Sequence, residues 1–344
     1  MLGPDGKPVP PSVPAERNAA PAERDIDPAG PDVVVSEFCL YDAIRLLRQG
    51  GRVEYDPSLA RDAPRLADRL AGARALVVRN QTRVTESLLA GAPRLEVVGR
   101  LGTGLDNIDV EACARHGVRV VYAPGASASA VAEMTLALAL ALAKGLPVAV
   151  RLGRTGTWSR SAYHGWELEG KTWGILGLGA VGMQVAHRAS ALGMRVIAHH
   201  PRRGRDDRTW RQCGAEPTSR QEVLEQADVL SLHLPLTNET RLSVGAAELA
   251  LMKPTAVLIN TARGGILDEA ALADALDAGR LAGAALDVRQ EEPPPPGDRL
   301  QSLENVILTP HLAGLTDEAQ RRVCLGVAGD VLRVLAGETP VHAV

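Results

Sequence analysis

The chain has 344 residues, a formal net charge of −3 and 45% hydrophobic residues. That length exceeds what one core usually organises, so two domains are expected, and the dispersed arginines leave no basic surface for nucleic acid. Four cysteines, Cys39, Cys113, Cys213 and Cys324, form no CxxC pair and have no histidine at ligand spacing, so neither a disulfide framework nor a metal site is expected. The start of the chain lacks a basic segment followed by an apolar one, which points to a cytoplasmic location.

Residues 1–31 are crowded with Pro, Ala, Gly and charges and read as a flexible tail. From Asp32 onward, short β-branched runs alternate with helical or turn segments: Asp32–Ser36, Ala75–Arg79, Leu95–Arg100 and Val118–Val121. The apolar run Val131–Ala143 is interrupted by Glu133 and Thr135 and is shorter than the roughly 20 residues a bilayer requires. It reads as a buried helix, and no membrane partner is expected. A second series of strands follows at Thr172–Gly177, Arg195–Ala198, Val229–Leu232, Ala256–Ile259, Gly283–Leu286 and Val306–Leu308. Helical spacing fills Ala180–Leu192 and Glu269–Ala278 between them. Such alternation predicts α/β domains built on doubly wound parallel sheets.

Gly177-Leu178-Gly179-Ala180-Val181-Gly182 follows an apolar strand and opens a helix, the context in which a GxGxxG match predicts a dinucleotide. Gly177 permits the tight turn, Gly179 lets backbone approach a pyrophosphate, and Gly182 lets helix and strand pack closely. An acid that accepts from the ribose 2'-hydroxyl is expected roughly 20 residues on. His200 stands there instead, with Arg202 and Arg203 after it. Guanidinium groups can clamp a 2'-phosphate, so the cofactor is expected to be NAD(P), with NADP preferred. The alternative is that both arginines are solvated or paired with Asp206 and Asp207, and that NAD binds without the acid.

Three polar signatures end later strands: Asn260-Thr261-Ala262-Arg263-Gly264-Gly265, Leu286-Asp287-Val288-Arg289-Gln290-Glu291-Glu292-Pro293 and Thr309-Pro310-His311-Leu312-Ala313-Gly314. Together with the glycine turn they resemble the D-isomer-specific 2-hydroxyacid dehydrogenases, the group containing phosphoglycerate, glycerate, glyoxylate and D-lactate dehydrogenases. The resemblance runs from about Val33 to Leu335. It implies hydride transfer between NAD(P)H and C2 of a small D-2-hydroxy or 2-oxo acid such as glyoxylate, hydroxypyruvate or a phosphorylated analogue. In the family's pattern His311 is the proton donor or acceptor, Glu292 orients it, and Arg263 holds the substrate carboxylate, tasks that suit a group titrating near neutrality and a planar fork of donors. A one-residue slip to Glu291 remains open.

The resemblance also assigns supporting contacts. Leu101, Gly102 and Thr103 lie in a loop whose backbone N–H groups would hold the substrate carboxylate, and Arg79 would sense a distal anion. Asp287 would accept from the nicotinamide carboxamide, Thr261 and Ala262 would add backbone contacts, and His233 with Pro235 would wall the cofactor. The implied architecture is a smaller flavodoxin-like substrate domain, residues 32–126 and 315–344, carrying an inserted Rossmann domain, residues 127–314. Trp158, Tyr163, Trp166 and Trp173 read as packing or interface residues, and a homodimer is expected. A sulfonated or other unusual substrate is one rival reading. A cofactor-sensing binding protein resembling the C-terminal-binding corepressors is another, and turnover of 2-oxo acids separates it from an enzyme.

Overall fold

The structure, a computed structural model, describes residues 30–156 and 164–344. Residues 1–29 of the expected tail over 1–31, and Trp158 and Tyr163, lie outside the described residues. Chain contacts divide into two compact units, the described residues up to Ser127 with Asp317–Val344, and Ala128–Thr316.

The first unit holds five parallel strands: β1 (Val33–Val35), β2 (Val53–Tyr55), β3 (Ala75–Val78), β4 (Val97–Arg100) and β5 (Arg119–Val121). Their order, β2-β1-β3-β4-β5, is the flavodoxin-like winding. β1 and β3 are buried at every position, which is why they read as unbroken apolar runs: helices cover both sheet faces. One of these helices, Asp317–Leu335, lies against β4 at Gly99, where a Cβ would stand 2.8 Å from Val331 and 2.9 Å from Val327. The buried Asp330 carboxylate on the same helix accepts from the backbone N–H groups of Val341 and His342, and Ala343 then pairs antiparallel with Val121 at the edge of β5.

The second unit holds β6 (Thr172–Leu176), β7 (Arg195–His199), β8 (Glu216–Pro217), β9 (Val229–Leu232), β10 (Val257–Asn260), β11 (Gly283–Leu286) and β12 (Val306–Leu308). The order is β12-β11-β10-β9-β6-β7-β8, all parallel. The winding direction reverses where β9 pairs with β6, and ligands of such sheets bind beyond the carboxyl ends of the strands at this point. The glycine turn follows β6, His233 follows β9, Arg263 follows β10, Asp287 follows β11 and His311 follows β12.

Both parallel-sheet α/β units match the expected fold class. Two strands were not anticipated. β2 is three half-buried residues with a charge at its centre, and β8 is two residues ending in proline, so neither carries an apolar run. The helix Ala128–Ala143 is also less enclosed than expected. It buries Ala132, Leu138, Ala139 and Ala143 in the core while Leu140 is exposed, so one face is core and the other surface. No single described helix is long and apolar enough to cross a membrane.

A buried carboxylate shapes the loop after β3. Glu37, 4% exposed, accepts from the backbone N–H groups of Arg79 and Thr82 on Oε1 at 2.8 and 2.9 Å, and of Asn80 and Gln81 on Oε2 at 3.0 Å each. Burial alone would raise its pKa, but the four donors together hold it below the ordinary carboxylate value. Glu37→Gln turns an amide NH2 toward two N–H donors and should cost about 3 kcal/mol of unfolding free energy. Because the folded pKa is depressed, the native charge contributes its full stability above the ordinary carboxylate range and loses it as pH falls through the folded value. Denaturant titrations should therefore show the gap between wild type and variant open at neutral pH and closing in acid.

Candidate active site

The glycine turn has the geometry a dinucleotide needs. Gly177 has φ +99°, and a Cβ there would meet the His233 carbonyl oxygen at 2.4 Å. A Cβ on Gly182 would meet the Gly177 oxygen at 2.2 Å, whereas one on Gly179 would meet nothing within 4 Å. Two glycines thus allow close packing of protein on protein, and the third leaves open space at the N-terminus of the helix Ala180–Ala191. The first-turn N–H groups of that helix, including those of Ala180, Val181 and Gly182, have no acceptor within the helix, and its dipole favours a phosphate there. This cradle fits a pyrophosphate.

At the end of β7 the His200 Nδ1 accepts from the Arg202 backbone N–H at 3.2 Å. Burial, and then the charges of Arg203 and Arg202, lower its pKa, so His200 is neutral at physiological pH. Arg203 is partly committed: its Nη1 donates to Asp207 at 3.2 Å and to Thr209 at 2.8 Å, while its buried Nε has no partner. Arg202 is exposed. The pairing of Arg203 with Asp207 is the contact the alternative reading described, although the site carries no acid at the ribose position.

His233 Nε2 lies 3.0 Å from the Ser231 hydroxyl, which is also 2.8 Å from Trp173 Nε1. Trp can only donate, so Ser231 accepts from it, and its own hydrogen is satisfied by donating to His233 Nε2. Burial pushes the His233 pKa down to about 3, which keeps the ring neutral with its proton on Nδ1. Trp173 is therefore a core residue with a polar task. Pro235 is exposed, and its carbonyl oxygen accepts from the Thr240 hydroxyl at 2.5 Å.

The three polar signatures meet in this unit. His311 Nδ1 is 2.7 Å from Glu292 Oε2, and Glu292 Oε1 accepts from the Arg289 N–H at 3.0 Å. Burial raises the Glu292 pKa, but the His311 bond, the Arg289 N–H and the charges of His311 and Arg263 outweigh it and leave the group below the ordinary carboxylate value. An ionised Glu292 can only accept, so His311 carries a proton on Nδ1 and presents Nε2 on the opposite side of the ring. The geometry thus selects Glu292 over Glu291.

His311 has φ +52°, a left-handed conformation that costs a non-glycine residue on the order of 1 kcal/mol. Its N–H donates to the Asp287 carbonyl at 2.8 Å. The Asp287 carboxylate, 1% exposed, accepts from the Thr309 hydroxyl and the Leu312 N–H on Oδ1 and from the Ala313 N–H on Oδ2, at 2.6, 2.9 and 2.8 Å. The Asp287 carboxylate is thus turned into the His311 loop, with three of its acceptor positions engaged there.

The Ala262 N–H donates to Asn260 Oδ1 and its carbonyl accepts from Arg263 Nη1, at 3.0 and 2.7 Å. The Thr261 hydroxyl pairs with that of Thr135. Asn260 was not singled out from sequence. Its amide also donates to the Arg263 carbonyl at 2.9 Å, bracketing the loop, and the strand-ending Asn with its local turn chemistry is the signal that could have found it.

In the first unit, the Leu101 N–H donates to the Val78 carbonyl and the Gly102 N–H to the Arg100 carbonyl, each at 2.8 Å. This corrects the expectation that both are offered to a substrate: continuation of the β3–β4 pairing consumes one and a tight local turn the other. Thr103 donates its hydroxyl to the Ala123 carbonyl at 3.1 Å. The Arg79 guanidinium bonds the Gln320 side chain and stands 5.5 Å from the centre of the Phe38 ring.

The family profile described as "D-isomer specific 2-hydroxyacid dehydrogenase, NAD binding domain" matches residues 136–313. The (S)-sulfolactate dehydrogenase of Chromohalobacter salexigens is 43% identical over 304 residues, covering 88% of this chain and 98% of that protein. A D-3-phosphoglycerate dehydrogenase of Methanocaldococcus jannaschii is 42% identical over 91% of this chain, which spans 59% of that longer protein. Among solved structures, the TT0316 protein of Thermus thermophilus superposes with a TM-score of 0.83 at 35% identity, covering 91% of this chain and 99% of the other. With the profile covering half its length and a relative matched almost end to end, the chain belongs to the D-isomer-specific 2-hydroxyacid dehydrogenase family.

Proposed function

We propose that this protein interconverts a small D-2-hydroxy acid and its 2-oxo acid through Arg263, Glu292 and His311. The observation that carries this reading is the 2.7 Å bond between His311 Nδ1 and the ionised Glu292, in the same unit as the glycine turn. When bound, the nicotinamide supplies or accepts the hydride. Nε2 of His311 gives a proton to the C2 oxygen in reduction and takes it back in oxidation, while Glu292 stabilises the imidazolium through the other nitrogen. Arg263 holds the carboxylate and polarises the C2 oxygen. Thr103 contributes a substrate contact, and Arg79 meets a distal anion, which makes three-carbon acids with a sulfonate or phosphate on C3 the first candidates beside glyoxylate and hydroxypyruvate.

The cradle formed by Gly177, Gly179 and Gly182 takes the pyrophosphate, with His233 and Pro235 beside it. The exposed Arg202, beside a ribose position that carries His200 in place of an acid, favours NADP over NAD. Two chains associate through the exposed Leu140 of the helix Ala128–Ala143 and Leu146 and Val150 of the helix Leu146–Arg154. Free thiols at Cys39, Cys113, Cys213 and Cys324 fit a reducing, cytoplasmic setting. No observation favours the corepressor-like alternative.

A screen of glyoxylate, hydroxypyruvate, pyruvate, phosphohydroxypyruvate and sulfopyruvate with NADH and NADPH should give turnover at the nicotinamide absorbance band. Cofactor binding without turnover of any of them would overturn the proposal. His311→Asn should lower kcat by about 100-fold or more and leave the cofactor Kd near its native value. In the same assay kcat/KM should be higher with NADPH, and Arg202→Glu should cut that preference by about tenfold, the usual range for a lost charge-assisted contact. A large native advantage for NADH would count against the phosphate clamp.

A further inference from the structure

Arg289 is charged, yet its side chain is only 6% exposed. Its Nε and Nη2 donate to Glu269 Oε2 at 3.1 and 2.8 Å, and Nη2 also stands 2.9 Å from Asp298 Oδ1. Glu269 is the first residue of the helix Glu269–Asp277, and Asp298 caps the short turn Arg299–Ser302. The two acids therefore lie on separate elements, and the guanidinium ties both to the point where the segment 289–298 begins.

The backbone of this point is held as well. Gln290 N–H donates to Glu269 Oε1 at 2.5 Å, and the Gln290 side chain accepts from the Glu269 N–H at 3.2 Å. On the other side, a Cβ on Gly264 would come within 1.8 Å of the Arg289 carbonyl oxygen, so the residue after Arg263 packs directly on Arg289. The Arg289 N–H, fixed from both directions, is the donor to Glu292 Oε1.

We propose that Arg289 is a positioning residue for catalysis: it clasps the two ends of the segment 289–298 through Glu269 and Asp298 and so aims the Glu292 carboxylate at His311. This inference rests on the His311–Glu292 reading. A buried charge with two partners is costly to assemble and is a weak source of net stability, whereas a planar fork bridging two carboxylates specifies a geometry. The clasp acts through Glu292, so its effect on turnover requires Glu292 to be there.

That dependence is the test. Arg289→Met should lower kcat about tenfold with cofactor Kd unchanged, within the coupling range of contacting network residues. Because it leaves two half-buried carboxylates without their shared cation, it is paired with the neutral triple variant Arg289→Met, Glu269→Gln, Asp298→Asn, which removes all three charges and should show the same loss of kcat. In a Glu292→Gln background, already reduced in kcat, neither change should reduce kcat by more than about twofold further, because the coupled contact is already gone. A triple variant with native kcat overturns the clasp, and so do losses that multiply in the Glu292→Gln background, since they would mark Arg289 as structural only. Native kcat in Glu292→Gln alone overturns the His311–Glu292 pairing and the clasp with it, which separates that failure from the failure of the clasp by itself.

Discussion

The buried carboxylate of Asp287 holds the catalytic unit in order. It sits at the carboxyl end of β11 and gathers three donors from the residues that follow β12, while its own carbonyl receives the His311 N–H. A left-handed histidine at the end of a strand would otherwise relax toward ordinary backbone, and the side chain would leave Glu292. Adjacent parallel strands thus exchange a side-chain acceptor for a loop conformation. His311, the proposed proton-transfer group, is placed by hydrogen bonds between its loop and Asp287.

The same device recurs in both units. Glu37 gathers four successive N–H groups around the loop that bears Arg79, Asp330 gathers two from the C-terminal segment, and Glu292 shares its two oxygens between a backbone N–H and the His311 ring. Each acid sits where the backbone leaves the regular ladder and its donors lose their partners. Charged acceptors strengthen such bonds, and at Glu37 and Asp330 burial keeps water from competing for them.

Much of this organisation was legible in the sequence because its signals are local. The β-branched runs gave the strands, the strand–Gly177–Gly179–Gly182–helix succession marked the cofactor turn, and Arg263, Glu292 and His311 stood in short contexts at strand ends. What escaped depends on partners far apart in the chain. Glu37 meets residues more than 40 positions away, Arg289 meets Glu269 twenty positions back, and Asp287 reaches the loop of His311. Nothing in a window around any of these acids says which donors it will find. The Leu101–Thr103 loop shows the converse: its glycine was visible, but the acceptors that take the N–H groups of Leu101 and Gly102 belong to the sheet register and a local turn. The edge strands β2 and β8 were missed because half-exposed, short segments need no apolar pattern.

The most direct test of this account is the kcat of Asp287→Asn, measured beside the cofactor Kd and the unfolding midpoint. The substitution keeps the shape of the side chain and turns one acceptor oxygen into a donor facing the N–H of Ala313 or the pair formed by Thr309 and Leu312. If the carboxylate sets the pose of His311, kcat should fall by about 100-fold, consistent with losing positioned acid–base catalysis, in a protein that still folds and binds cofactor. A variant with kcat within about twofold of the native value would contradict it, because such a change is smaller than the loss of one hydrogen bond.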